Sequence, residues 1–121
     1  MAFLNSGQAC AAGTRLLVPK SQLDEVQRGI REAMSAFSVG DPADPKTAIG
    51  PMVSQKQYER VQSYIRKGIE EGAEVLVGGE GHPEGFEAGY FLKPTVFVNV
   101  KNDMTNRPGR NFRPSAVCHR L

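Results

Sequence analysis

Apolar residues recur along this chain at two different periods, and the change from one to the other lays out its elements. Leu23, Val26, Ile30, Ala33, Met34 and Phe37 follow one another at three- and four-residue steps, which sets them on one face of a helix. Ser21 ahead of that run is a good N-cap, and Asp24 three residues on gives the acidic half of a capping-box-like pair. Gly40-Asp41-Pro42-Ala43-Asp44-Pro45 stops the helix and opens a loop that runs through Gly50-Pro51. Ser54 then caps a second helix, whose buried stripe is Tyr58, Val61, Tyr64, Ile65 and Ile69, and Gly72 ends it. The remaining apolar runs are short and of strand type. Arg15-Leu16-Leu17-Val18-Pro19 predicts a buried strand closed by proline. Ala73 to Val77 predicts a second strand that leaves through Gly78-Gly79, and Tyr90 to Val100 a third, broken at Pro94. Strands alternating with helices imply crossover connections and parallel pairing. The expected fold class is therefore α/β, a partial parallel sheet with flanking helices.

Composition narrows this picture without changing it. A chain of 121 residues makes one domain at most. Fifteen basic and thirteen acidic residues are interspersed and leave a net charge of +2, which makes no case for nucleic acid or an anionic membrane. The two cysteines are far apart and lack metal-ligand spacing, so no metal site or disulfide framework is expected and a reducing, cytoplasmic setting is. Nothing resembles a signal peptide or a membrane span.

The candidate chemistry lies near the start of the chain. In Phe3-Leu4-Asn5-Ser6-Gly7-Gln8-Ala9-Cys10-Ala11-Ala12-Gly13-Thr14-Arg15, Gly7-Gln8 reads as a loop that lets backbone approach a ligand. Ala9 to Ala12 reads as the first turn of a short helix, since alanine has the best helix propensity. A cysteine there meets free backbone N–H groups and the positive end of the helix dipole, and both favour thiolate over thiol. The same N–H groups can hold an oxyanion when the thiolate attacks a carbonyl. The competing reading of Cys10 is a small buried hydrophobe among alanines. His82, in Gly81-His82-Pro83, is expected in a solvated polar turn. Cys118 and His119 are adjacent, so they make a poor thiol–imidazole pair, and no further ligands accompany them.

The string from Phe3 to Thr14 resembles the cysteine active-site signature of the NAD(P)-dependent aldehyde dehydrogenase family. Ala12-Gly13-Thr14-Arg15, Gly50-Pro51-Met52-Val53, Gly78-Gly79 and Gly89-Tyr90-Phe91-Leu92-Lys93-Pro94-Thr95 look like further landmarks of that family. The resemblance divides the chain into residues 1–105, a partial aldehyde dehydrogenase catalytic domain, and residues 106–121, which depart from the pattern. The tail carries arginines and no acid, and it has no helical or strand period. It can be written in codons that, with the first base dropped, encode I-A-R-E-E-I-F-G-P-V-L-S-V-I, the continuation similar to the family's. A single-nucleotide frameshift after Thr105 is therefore inferred, with an irregular tail in which Phe112, Cys118 and His119 inherit no role.

The resemblance implies a catalytic Cys10 whose thiolate attacks an aldehyde, with hydride then passing to NAD or NADP and water releasing the acid. It also implies partners that are missing here. The second oxyanion donor, the glutamate base and the dinucleotide-binding domain lie upstream of the signature in the family. The expectation is a truncated aldehyde dehydrogenase that binds no coenzyme and is inactive alone. The alternatives are a fragment that self-associates through exposed apolar surface, as a homo-oligomer, and a weak cysteine-dependent esterase, in one version pairing Cys10 with a histidine.

Overall fold

The computed structural model describes residues 2–101 and 104, and of residues 115–120 the backbone alone. Its elements run β1 (Arg15–Val18), α1 (Leu23–Ser35), α2 (Gln55–Glu70), β2 (Glu74–Val77), β3 (Thr95–Val98) and β4 (Ser115–Arg120). One sheet joins the four strands in the order β1-β4-β3-β2. β4 is parallel to both neighbours, whereas β2 runs antiparallel to β3. The expected parallel pairing therefore fails for β2, and β1 and β3 run parallel only through β4, a strand not expected from the sequence. The connection from β2 to β3 contains no helix, so the chain reverses instead of crossing over.

Two clusters of apolar side chains, one against each helix, make the core. Val61 and Ile65 of α2 pack with Met52, Ala73, Leu92, Phe97, Val100 and Met104. Leu23, Val26, Ile30, Met34 and Phe37, on the stripe of α1 and just beyond it, pack on Phe3, Val18, Ile49, Leu76, Val96 and Val98. β3 contributes Phe97 to the first cluster and Val96 and Val98 to the second, as the alternation of a strand requires. The helices therefore lie on opposite faces of the sheet. Phe97, Ile65 and Val61 are each 1% exposed, and burying each contributes roughly 1.5–3 kcal/mol. A register shift between Val75 and Val77 explains why Leu76 and Val77, adjacent in sequence, both serve the α1 side.

Helix ends follow local chemistry. The Ser54 hydroxyl accepts from the Gln57 N–H at 3.3 Å, as its N-cap role predicts. At the other end Gly72 adopts φ +91°, and the Ala73 N–H reaches back to the Gly68 carbonyl at 2.9 Å. That bond, with Gly72 N–H on the Ile69 carbonyl, is a Schellman closure that needs a residue able to turn left-handed. Ser21 is not the cap of α1. A 3-10 turn over Lys20–Gln22 follows Pro19, the helix starts at Leu23, and Gln22 stands at the cap without a side-chain bond.

Two further expectations are corrected. β1 is not a buried strand, since only Val18 is buried while Leu16 and Leu17 are 47% and 60% exposed. It lies at the edge of the sheet, where one long side has no neighbouring strand among the described residues. Nor is the tail irregular throughout, because residues 115–120 form β4. Backbone N–H and C=O groups of β1 and β3 bond any extended chain between them, whatever its side chains. Residues 105–114 and 121 lie outside the described residues.

Candidate active-site loop

The loop bearing Cys10 is held from below by two ties. Phe3 is buried in the α1-side cluster, edge-on to Phe37 with ring centroids 6.2 Å apart. Ser6, 8% exposed, donates its hydroxyl to the Gly50 carbonyl at 3.0 Å. Around the second tie the backbone is left-handed at three successive residues, Asn5 (φ 52°), Ser6 (φ 53°) and Gly7 (φ 71°). A short 3-10 segment spans Leu4–Gly7, but the dihedrals of Asn5 and Ser6 inside it are not those of a right-handed helix. Left-handed serine is strained by about 1–3 kcal/mol, and such strain persists only where surroundings impose it. Here the Phe3 and Ser6 anchors do so.

Cys10 follows on a turn and not at a helix start, which corrects the sequence expectation. Ala12 N–H bonds the Ala9 carbonyl at 3.1 Å, so Cys10 and Ala11 occupy the tip of a single reverse turn. Gly13 and then β1 follow too soon for the turn to propagate, and a helix nucleus that cannot propagate is unstable. No helix dipole therefore acts on this cysteine. Cys10 is exposed, which also sets aside its reading as a buried hydrophobe. What remains is an accessible thiol on a loop whose base is fixed and whose neighbours are small.

The other residues singled out in the sequence stand elsewhere. His82 is half-buried and stacks on Tyr58 of α2, with centroids 4.7 Å apart and planes 17° apart; its Nδ1 is buried without a hydrogen-bond partner. The solvated turn expected of it is corrected accordingly. Tyr58 packs on the α2-side cluster, whereas Phe3 anchors Cys10's loop on the α1 side. His82 is thus tied to the α2 side, and the loop that bears Cys10 is anchored on the α1 side. For Cys118 and His119 the backbone alone is described, within β4. Among the described residues no three His, Cys, Asp or Glu side chains cluster to hold a metal ion, and no helix is long and apolar enough to cross a membrane.

Gly78-Gly79, the residues most like a phosphate-binding turn, serve packing. A Cβ on Gly78 would lie 2.3 Å from the Pro94 carbonyl oxygen, so the chain entering β3 already fills the space beside it. The Gly79 N–H is bound by the Thr95 hydroxyl at 3.1 Å, and no helix follows. These residues do not fit a dinucleotide pyrophosphate, which needs free N–H groups at a helix N-terminus.

Sequence reasoning missed the clasp that fixes the following loop. The Gln62 side chain accepts from Gly81 N–H at 2.9 Å and donates to Gly81 O at 3.3 Å, and Lys93 Nζ reaches Glu80 O at 3.1 Å. Arg66 pairs with Glu80; its hydrogen bond, then its charge, holds the Glu80 carboxyl below its usual range. Burial, then the Glu80 charge, raises the Tyr58 hydroxyl. The only hint in sequence was Gln62 on the apolar side of α2, one place from Val61.

Known proteins share this geometry. The family model described as "Aldehyde dehydrogenase family" matches residues 1–108. A Staphylococcus haemolyticus protein bearing the aldehyde dehydrogenase name is 51% identical over 112 residues, covering 93% of this chain and 24% of its own length. Aldehyde dehydrogenase C of Pseudomonas syringae, solved as a cysteine-to-alanine mutant with NAD+ and octanal, superposes with a TM-score of 0.94 at 37% identity, over 99% of this chain and 25% of that one. The Mycobacterium tuberculosis aldehyde dehydrogenase complexed with NAD+ gives 0.92 at 43% identity, over 99% of this chain and 25% of that one. The chain thus spans about a quarter of the length of these relatives.

Proposed function

The chain belongs to the aldehyde dehydrogenase family, and on that premise we propose that it carries the nucleophilic part of an aldehyde dehydrogenase site without the part that accepts hydride. Cys10 is the proposed nucleophile. Its thiolate attacks the carbonyl carbon of an aldehyde, a C–S bond forms, and the carbonyl π electrons move to oxygen, which takes up a proton to give a thiohemiacetal. The observation that carries this reading is an exposed thiol on a strained, anchored loop. The P. syringae protein, held with octanal after a cysteine was replaced by alanine, supports it by analogy.

Oxidation stops there in this proposal. NAD or NADP serves the whole family enzyme, but the glycines most like a phosphate turn are packed against Pro94 and Thr95. The chain on its own therefore binds no coenzyme and is inactive as an oxidoreductase. The reading includes the inferred single-base frameshift after Thr105, which resequencing of the gene tests directly. A cytoplasmic setting suits an unpaired, exposed thiol.

The test is acylation by an activated ester, followed by intact mass and peptide mapping. The reading expects one acyl group on Cys10 and none on a Cys10→Ser variant. Modification spread over lysines with Cys10 untouched would refute it. His82→Ala should leave acylation unchanged, since His82 stacks on Tyr58 of α2 while the Cys10 loop is anchored on the α1 side. A second reading, self-association, is favoured by Leu16 and Leu17, exposed on an edge strand. Light scattering that reports a monomer at high protein concentration contradicts that reading.

A further inference from the structure

The chain reaches Cys10 through a left-handed bend. Asn5 (φ 52°, ψ 44°), Ser6 (φ 53°, ψ 35°) and Gly7 (φ 71°) wind in that sense, and at Gln8 φ is negative again, at −95°. Two backbone bonds close the bend: the Gly7 N–H reaches the Phe3 carbonyl at 3.3 Å, and the Gln8 N–H the Asn5 carbonyl at 3.0 Å. The turn that carries Cys10 at its tip starts at Ala9, the next residue. The direction in which the bend releases the chain is therefore the direction in which that turn sets out. The three residues hold their conformation by different means. Gly7 has no Cβ to oppose it. Ser6 is buried and tied to the Gly50 carbonyl. Asn5 is exposed, and its contribution is intrinsic: asparagine is among the few L residues that adopt left-handed backbone readily.

We propose that Asn5 is a positioning residue for Cys10: its left-handed backbone aims the turn that presents the thiol to a carbonyl. The proposal rests on the reading of Cys10 as the nucleophile. A right-handed residue at this place would pull the Asn5 carbonyl away from the Gln8 N–H and send the chain into the Ala9–Ala12 turn along another line. The thiol would stay exposed but would spend less time in productive orientations, and a rate falls with the fraction that is competent. The Asn5 side chain takes no part in the reaction. Its backbone angle is what matters, so glycine or a D residue serves as well.

The test uses the full chain, ligated at Cys10 from a synthetic thioester of residues 1–9 and a fragment that begins with the cysteine. Asn5→Ala is made with the L and with the D residue, so that the two proteins differ only in the hand of one exposed position. Acylation of Cys10 by an activated ester should run near the rate of the unaltered chain in the D form and roughly fivefold or more slower in the L form. Asn5→Gly should also keep the unaltered rate, and urea midpoints taken in parallel show that the proteins compared are folded. Equal rates for the two hands, or a glycine variant as slow as the L form, overturn the proposal. Hydrogen exchange at the Gln8 amide gives a reading apart from acylation. It should be faster in the L than in the D form, and equal exchange overturns the proposal. An unaltered chain that is not acylated at all defeats the nucleophile reading and the positioning role together. Acylation that proceeds alike in both hands defeats the positioning role alone.

Discussion

Two loops of this molecule bend through left-handed backbone, and they do so for opposite reasons. The loop from Gly78 to Gly89 uses glycine at each of its left-handed positions, so the backbone turns without strain. It is then fastened to α2 by the Gln62 clamp, the Arg66–Glu80 pair and the Tyr58–His82 stack. The loop before Cys10 places asparagine and serine in the same conformation and is anchored by Phe3 and by the Ser6 hydroxyl. The contacts of the first loop fasten the β2–β3 connection to α2. The second bears strain that the Phe3 and Ser6 anchors impose, and it leads to an exposed thiol.

The contrast can be broken most forcefully at the sheet between the two loops. Phe97→Ala should cost about 3–5 kcal/mol in urea unfolding, because the ring is 1% exposed in the α2-side cluster. A loss under about 1 kcal/mol would mean the sheet is not the common support. Gly78→Ala should cost about 1–3 kcal/mol or more, since its φ is +80° and the added methyl meets the Pro94 oxygen. It should leave Cys10 acylation intact in the folded fraction. Gln62→Leu strands the Gly81 N–H and should cost about 1–3 kcal/mol, again without changing acylation.

Ser6→Ala should cost only about 0.5–1.5 kcal/mol, yet it should alter the acylation rate of Cys10 by releasing the loop from Gly50. If Ser6→Ala and Gln62→Leu affect acylation alike, the two loops are not different in kind. The smallest effect belongs to Glu80. Its carboxyl is lowered by Arg66, so the link is present above about pH 4.5 and is lost as pH falls through the folded value. Exposed charges hold it weakly, and Glu80→Gln should remove this acid-side dependence without a measurable change at neutral pH.

Much of the scaffold was legible because its signals are local. The stripe of α2, apart from Ile69, which is 44% exposed and not buried as expected, its Ser54 cap and its Gly72 closure each depend on residues within one or two turns. Ser21 misled because Pro19 starts a 3-10 turn that uses up the residues around the serine. Leu16 and Leu17 look like core by composition, but an edge position leaves them exposed, and edge or centre is set by strands far away in sequence. The antiparallel β2 and the strand in the tail were unreadable for the same reason. Cys10 was legible as a candidate through its resemblance, whereas its conformation was not. Alanine propensity favours a helix there, and the nearness of β1 prevents one.

Under the proposed function, Cys10 attacks the aldehyde and the chain on its own passes no hydride to a nicotinamide. The most direct measurement is reduction of NAD+ or NADP+ by purified protein, at concentrations where a single turnover would be seen, in the presence of an aldehyde. No reduced nicotinamide above a Cys10→Ser control is the predicted result. Reduction that depends on Cys10 would contradict it.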